Sequence, residues 1–172
     1  TLANKLANLS QFSYFTNNDN NSMEEKVVIA GYGSTGKVIA KMLKSSAIPF
    51  IVFDLNPNEV AHGRKKGLPV FFGDITDMKL LNTIKLDQAS MLIVSIDHSL
   101  NAIKVVKHIK ESYPHIKILA RALDIKAMDK LLLFGANWVI AETLESSLRT
   151  GEEALSQMGV PMDEIAVVLE SL

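Results

Sequence analysis

From residue 26 onward the spacing of apolar positions switches repeatedly between two periods. KVVIA (26–30) is a short β-branched run ending at Gly31, the pattern of a strand buried on both faces. Residues 37–44 carry apolar side chains at 38, 39, 42 and 43, which is the spacing of one helix face. PFIVFD (49–54) predicts a second strand. Asn56 and Pro57 then open a helix as cap and first-turn proline, and Gly67 ends it. LPVFFG (68–73) predicts a third strand, with a short helix near 77–84. MLIVSI (91–96) predicts a fourth, followed by a helix from Ser99 to about Ser112. HIKILAR (115–121) is the fifth, and Gly135 closes the helix after it. ANWVI (136–140) is the sixth, and TLESSLRTGEEALSQMG (143–159) is a last helix. Strict alternation with continuous apolar strands implies an α/β fold: a Rossmann-like, doubly wound parallel sheet of six strands.

The two ends break this pattern. In residues 1–25, Leu2, Leu6 and Leu9 predict a short amphipathic helix, and NNDNN (17–21) favours turns and coil. The stretch reads as a linker entering a domain near Lys26, or alternatively as a tail outside the fold. The domain itself is expected over 26–160, with 161–172 as a C-terminal tail.

Composition narrows the possibilities. With 172 residues, one domain is the default. A net charge of −1 without a long basic run lacks the electrostatic footprint of a nucleic-acid binder. The absence of cysteine excludes disulfides, thiolate metal sites and cysteine nucleophiles. Apolar runs are only four or five residues long, against the roughly 18 needed to span a bilayer. The first residue is Thr, which fits a piece of a longer polypeptide.

GYGSTGKV (31–38) supports two readings with different chemistry. A phosphate loop of the hydrolase type needs Ser or Thr directly after its lysine to ligate magnesium, and residue 38 is Val. The dinucleotide-binding reading, Gly31-x-Gly33-x-x-Gly36, has its context in place. The glycines follow a strand and open a helix, and Asp54 ends the next strand 18 residues after Gly36. Gly31 would permit the tight turn, Gly33 the approach of a phosphate, and Gly36 close packing of helix on strand. Asp54 would accept from ribose hydroxyls and repel a 2′-phosphate. Lys37 reads as a solvated surface lysine.

FFGDITD (71–77), SID (95–97), ILARALD (118–124) and AETLESSLRTGEEAL (141–155) add specificity to the glycine loop. In this order and spacing the chain resembles the KTN/RCK (TrkA-N type) family of regulatory domains of potassium channels and transporters. It is most similar to the cytosolic C-terminal domain of Kef-type potassium efflux antiporters, over about residues 26–160. The resemblance implies a non-catalytic module that binds an adenine nucleotide, NAD(H) or AMP, and gates a cation/proton antiporter. It further implies a homodimer at the cytoplasmic face of the membrane, joined to a membrane-embedded antiporter domain of the same polypeptide. The interface would use the second half of the sheet and the helices after strands four and five.

By that resemblance Gly31, Gly33, Gly36 and Asp54 hold phosphates and ribose, with Tyr32, Ser34, Thr35 and Leu55 flanking them. Asp74, Ile75 and Thr76 lie beside the adenine, and Ser95, Ile96 and Asp97 line the same crevice. Asp74 or Thr76 could instead cap the short helix, and Ser95 and Asp97 could simply end a strand. Arg121 corresponds to an arginine of a second site, for glutathione or its conjugates; alternatively it is a surface residue paired with Asp124. Two departures bear on that second site. Ser34 and Leu123 stand where relatives often carry arginine, which removes two cations facing an anionic tripeptide.

Other constellations carry little. The four histidines (62, 98, 108, 115) are not at metal-ligand spacing. No serine has a nucleophile-elbow context. Trp138 reads as core packing. A small NAD-dependent oxidoreductase is the alternative function. Against it, no substrate domain follows the sixth strand, and no Tyr/Lys or His/Arg pair is placed to move a hydride or proton.

Overall fold

The computed structural model describes residues 26–172, so the predicted helix around Leu2–Leu9 and the asparagine stretch lie outside the described residues. β1 (Val27–Ala30) is buried at every position, as its β-branched run predicts. β2 (Phe50–Asp54) and β3 (Val70–Phe72) follow outward from it. β4 (Met91–Val94) returns to the other side of β1, and β5 (Ile118–Ala122) and β6 (Trp138–Ala141) extend that half. All five pairings are parallel, in the order β3-β2-β1-β4-β5-β6. The winding direction therefore reverses between β1 and β4, where a crevice opens beyond the strands' carboxyl ends.

Alternate residues of each strand feed two cores. Val27, Ile29 and Val52 face one cluster, together with Ala40 of α1 (Ser34–Ser45) and Val60 of α2 (Pro57–Lys65). Val28, Ala30, Ile51 and Phe53 face the other. That second core is covered by α3 (Met78–Thr83), α4 (Ser99–Ser112) and α5 (Ile125–Leu133). Each fully buried Ile or Leu in these layers contributes roughly 1.5–3 kcal/mol relative to exposure.

Local signals start the helices where the sequence predicts. Asn56 Oδ1 accepts the Asn58 N–H at 3.0 Å, and Pro57 is the first helical residue of α2. Asp124 caps α5 by accepting the Ala127 N–H at 2.7 Å. At α3 the cap is Asp77, which accepts the Lys79 N–H, rather than Asp74 or Thr76.

The C-terminal third differs from expectation in two respects. The segment treated as a tail contains a helix, α7 (Met162–Glu170), that follows α6 (Glu142–Gln157). Trp138 is not in the core: it lies on the free edge strand β6 and is 48% exposed. A buried-strand reading fails there because, among the described residues, β6 has a neighbour on one side only. No described helix is long and apolar enough to cross a membrane.

Candidate functional site

The glycine loop joins β1 to α1 and is shaped by contacts too close for a side chain. Gly31 has φ +103°, and a Cβ there would lie 3.0 Å from the Ser95 backbone. A Cβ on Gly36 would lie 2.1 Å from the Gly31 carbonyl oxygen, so helix and loop touch as the fingerprint predicts. Ser95 is buried and donates from Oγ to the Gly31 carbonyl at 2.8 Å, with the Ala30 carbonyl 3.3 Å away. Its hydroxyl thus ties β4 to the loop. The N-terminus of α1 has no side-chain cap and no acid in its first turn. Its free N–H groups and positive dipole end suit an anion.

Asp54 closes β2 beside this loop. Its Oδ2 accepts the Tyr32 N–H at 2.6 Å and its Oδ1 accepts the Asn56 N–H at 2.7 Å. A carboxylate has about four acceptor sites, so two remain for a ligand's hydroxyls. Behind it the Tyr32 ring is buried beneath Lys37, whose ammonium is 5.8 Å from the ring centroid. Lys37 also pairs with Glu59, and its side chain stays 33% exposed. Burial pushes the Tyr32 hydroxyl above its usual range; Lys37 lowers it in part, and Glu59 raises it.

These elements enclose a cavity of about 660 Å³ at the switch point. Of the residues singled out in the sequence, Gly31, Gly33, Asp54, Leu55, Asp74, Ile75, Thr76, Ser95, Ile96 and Asp97 line it. Asp74 Oδ1 accepts both the N–H and the hydroxyl of Thr76, at 2.8 and 2.7 Å, which shapes the loop after β3. Tyr32, Ser34, Thr35, Gly36 and Arg121 do not line the cavity. Tyr32 contributes its backbone while its ring fills the core. Gly36 packs inside the loop, and Ser34 is exposed.

Thr35 and Arg121 belong to a second cavity of about 400 Å³, floored by Ile93, Leu119 and Ile140 between α1 and α6. Arg121 does not pair with Asp124. It donates from Nη1 to Asp97 Oδ1 at 3.0 Å and from Nη2 to Glu142 Oε2, bridging β4 to the start of α6. The reason is topological: Asp97 and Glu142 follow the two strands that flank β5, whereas Asp124 is spent on its cap.

Sequence reasoning missed Asn56, Glu59, Asn101 and Lys104, which also line the first cavity. A signal existed for two of them. Asn101 and Lys104 are three apart in the first turns of the helix that follows the switch strand, a spacing that puts both on one face. Among the described residues no group of three His, Cys, Asp or Glu side chains could hold a metal ion.

The TrkA-N domain model matches residues 27–142, which spans the glycine loop, all six strands and both partners of Arg121. The chain belongs to the TrkA-N domain family. This TrkA-N domain is 35% identical over 137 residues to the glutathione-regulated potassium-efflux system protein KefC of Escherichia coli. The match covers 80% of this chain and 22% of KefC, so the chain spans about a fifth of the length of that relative. Among solved structures it resembles the Kef C-terminal domain of Shewanella denitrificans in its AMP-bound form. That match has 29% identity and a TM-score of 0.71, and covers 83% of this chain and 87% of the other. It also resembles the GsuK channel bound to NAD, with 26% identity and a TM-score of 0.71 over 80% of this chain and 24% of that one. The TrkA-N fold thus accounts for the parallel sheet, the switch-point cavity and the glycine loop together.

Proposed function

We propose that this domain senses an adenine nucleotide, NAD(H) or AMP, and couples its occupancy to gating of a potassium efflux or cation/proton antiporter. The observation that carries the reading is the cavity at the β1/β4 reversal, with an uncapped helix N-terminus at one end and Asp54 at the other. Phosphate belongs at the helix end and ribose hydroxyls at Asp54. The Asp74–Thr76 turn after β3 borders the remaining space, where the adenine would lie. Relatives solved in an AMP-bound form and bound to NAD support an adenine nucleotide as the ligand. The domain acts by binding rather than by turnover.

A nucleotide shifts a gating equilibrium only through its different affinity for two states. The output would pass through a homodimer to a membrane-embedded antiporter domain of the same polypeptide, with this domain on the cytoplasmic side. Exposed apolar side chains in the second half of the molecule suit that dimer: Leu133 on α5, Trp138 and Ile140 on β6, and Val167 on α7. Trp138 and Ile140 lie on a strand at the end of the sheet order, and such an edge is open to association.

Calorimetry with AMP, NAD+, NADH and ATP tests the reading. Submillimolar binding of at least one adenine nucleotide is expected, and Asp54→Ala should weaken it by roughly 1–3 kcal/mol through lost charged hydrogen bonds. Absence of binding by all four would overturn the sensing function. Turnover of NADH with small carbonyl substrates would favour the oxidoreductase reading instead.

A further inference from the structure

We infer that the Asp97 carboxylate acts as a built-in anion at the phosphate end of the nucleotide cavity and sets how much phosphate the site accepts. The inference rests on the adenine-nucleotide reading above. A Cβ added to Gly33 would lie 2.8 Å from Asp97 Oδ2, so the space above the second loop glycine is already taken by a carboxylate. A ligand phosphate would approach the backbone through that same space.

Asp97 is held there rather than placed by chance. Arg121 Nη1 donates to its Oδ1 at 3.0 Å, and the same guanidinium is shared with Glu142. The arginine side chain is only 16% exposed, whereas that of Asp97 is 67% exposed, toward the open cavity. Arg121 therefore has no surplus charge: two carboxylates share one cation.

The remaining walls do not compensate. Asp54, Glu59 and Asp74 line the cavity with Asp97, against Lys104 as the single lining cation among the described residues. Backbone N–H groups at the α1 terminus attract one phosphate, while the acidic surroundings oppose each further one. Adenosine, which carries no phosphate, escapes the repulsion. A phosphate that enters must turn Asp97 aside and leave Arg121 with Glu142 alone. Asp97 is thus a specificity-determining residue that favours a monophosphate over polyphosphates.

The test compares adenosine, AMP and ADP by calorimetry on the 172-residue chain, its Asp97→Asn variant and its Arg121→Gln variant. Asp97→Asn keeps the shape and an acceptor for Arg121 while removing the charge. It should tighten AMP roughly three- to tenfold, tighten ADP further, and leave adenosine within about twofold. Arg121→Gln should do the opposite to AMP, weakening it relative to adenosine, because Asp97 loses its counter-charge. An unchanged AMP-to-adenosine ratio in either folded variant would overturn the inference, as would selective weakening of AMP by Asp97→Asn. If adenosine binds the unaltered chain but the ratios do not move, only this inference fails. If neither adenosine nor AMP binds, this inference fails, and the sensing function fails with it only when NAD+, NADH and ATP also do not bind. Thermal melts of both variants confirm folding, and because the two are predicted to act in opposite directions, one folded variant is enough to decide.

Discussion

The two halves of the sheet solve different problems. Around β1, β2 and β4 the strands are buried on both faces, and the loops beyond them are fastened by specific hydrogen bonds such as Ser95–Gly31 and Asp54–Tyr32. At the other edge, β6 leaves Trp138 and Ile140 exposed, α6 has no buried residue, and α7 buries only Ile165. The first half fixes the loops around the cavity at the switch point. The second keeps apolar surface available, at the cost of contributing less to the stability of a single chain. The proposed nucleotide site and the proposed dimer surface thus fall in different halves of one sheet, and Arg121 links those halves through Asp97 and Glu142.

The contrast predicts that equal substitutions have unequal effects. Ile29→Ala in β1 should cost about 2–5 kcal/mol, the range for a buried isoleucine, while Ile140→Ala in β6 should cost under about 1 kcal/mol. Urea unfolding at low protein concentration measures both. A large loss at Ile140 in the monomer would erase the distinction, and weaker dimer association with unchanged monomer stability would strengthen it.

A pair of glycines should differ in sign. Gly36→Ala drives a Cβ into the Gly31 carbonyl and should destabilise by roughly 1–3 kcal/mol. Gly151 sits in α6 with nothing within 4 Å of an added Cβ, so Gly151→Ala should stabilise by about 0.5–1 kcal/mol through helix propensity. Melting temperatures of the two variants should move in opposite directions.

The smallest effect depends on pH. Burial, the largest cause, raises the Tyr32 hydroxyl above its ordinary value of 10.0. The folded state then holds that proton more tightly than the unfolded chain. This contribution to stability is complete below about pH 10 and is lost as pH rises through the folded-state value. Tyr32→Phe should therefore narrow the difference between urea midpoints measured at about pH 9 and about pH 11.

Much of this was legible in the residues themselves. The β-branched runs, the Asn56-Pro57 start and the Gly31-x-Gly33-x-x-Gly36 spacing specify local geometry, because burial period, capping and close backbone approach act over a few positions. Asp54 could be placed because the distance from loop to second strand end is set by one helix crossover. Glu59, Asn101 and Lys104 were harder to identify, since an exposed polar residue on a helix looks the same whether it faces solvent or a cavity. The alternative reading of Arg121, a pair with Asp124, gives way to Asp97 and Glu142 because pairing across strands is not a local property of the sequence. Trp138 misled for a related reason, as a strand's composition does not reveal whether it lies at the edge of the sheet.

By itself, then, the sequence determined the element order, the parallel winding and the glycine loop that joins β1 to α1. These follow from periodicity, caps and glycines, all of them short-range. Only the tertiary structure decided which carboxylate faces that loop, which charges share Arg121 and which apolar residues remain uncovered. Those outcomes depend on residues from β4, β5 and the start of α6 being brought together at one end of the sheet, and charge balance in such a place is a property of the assembled neighbours.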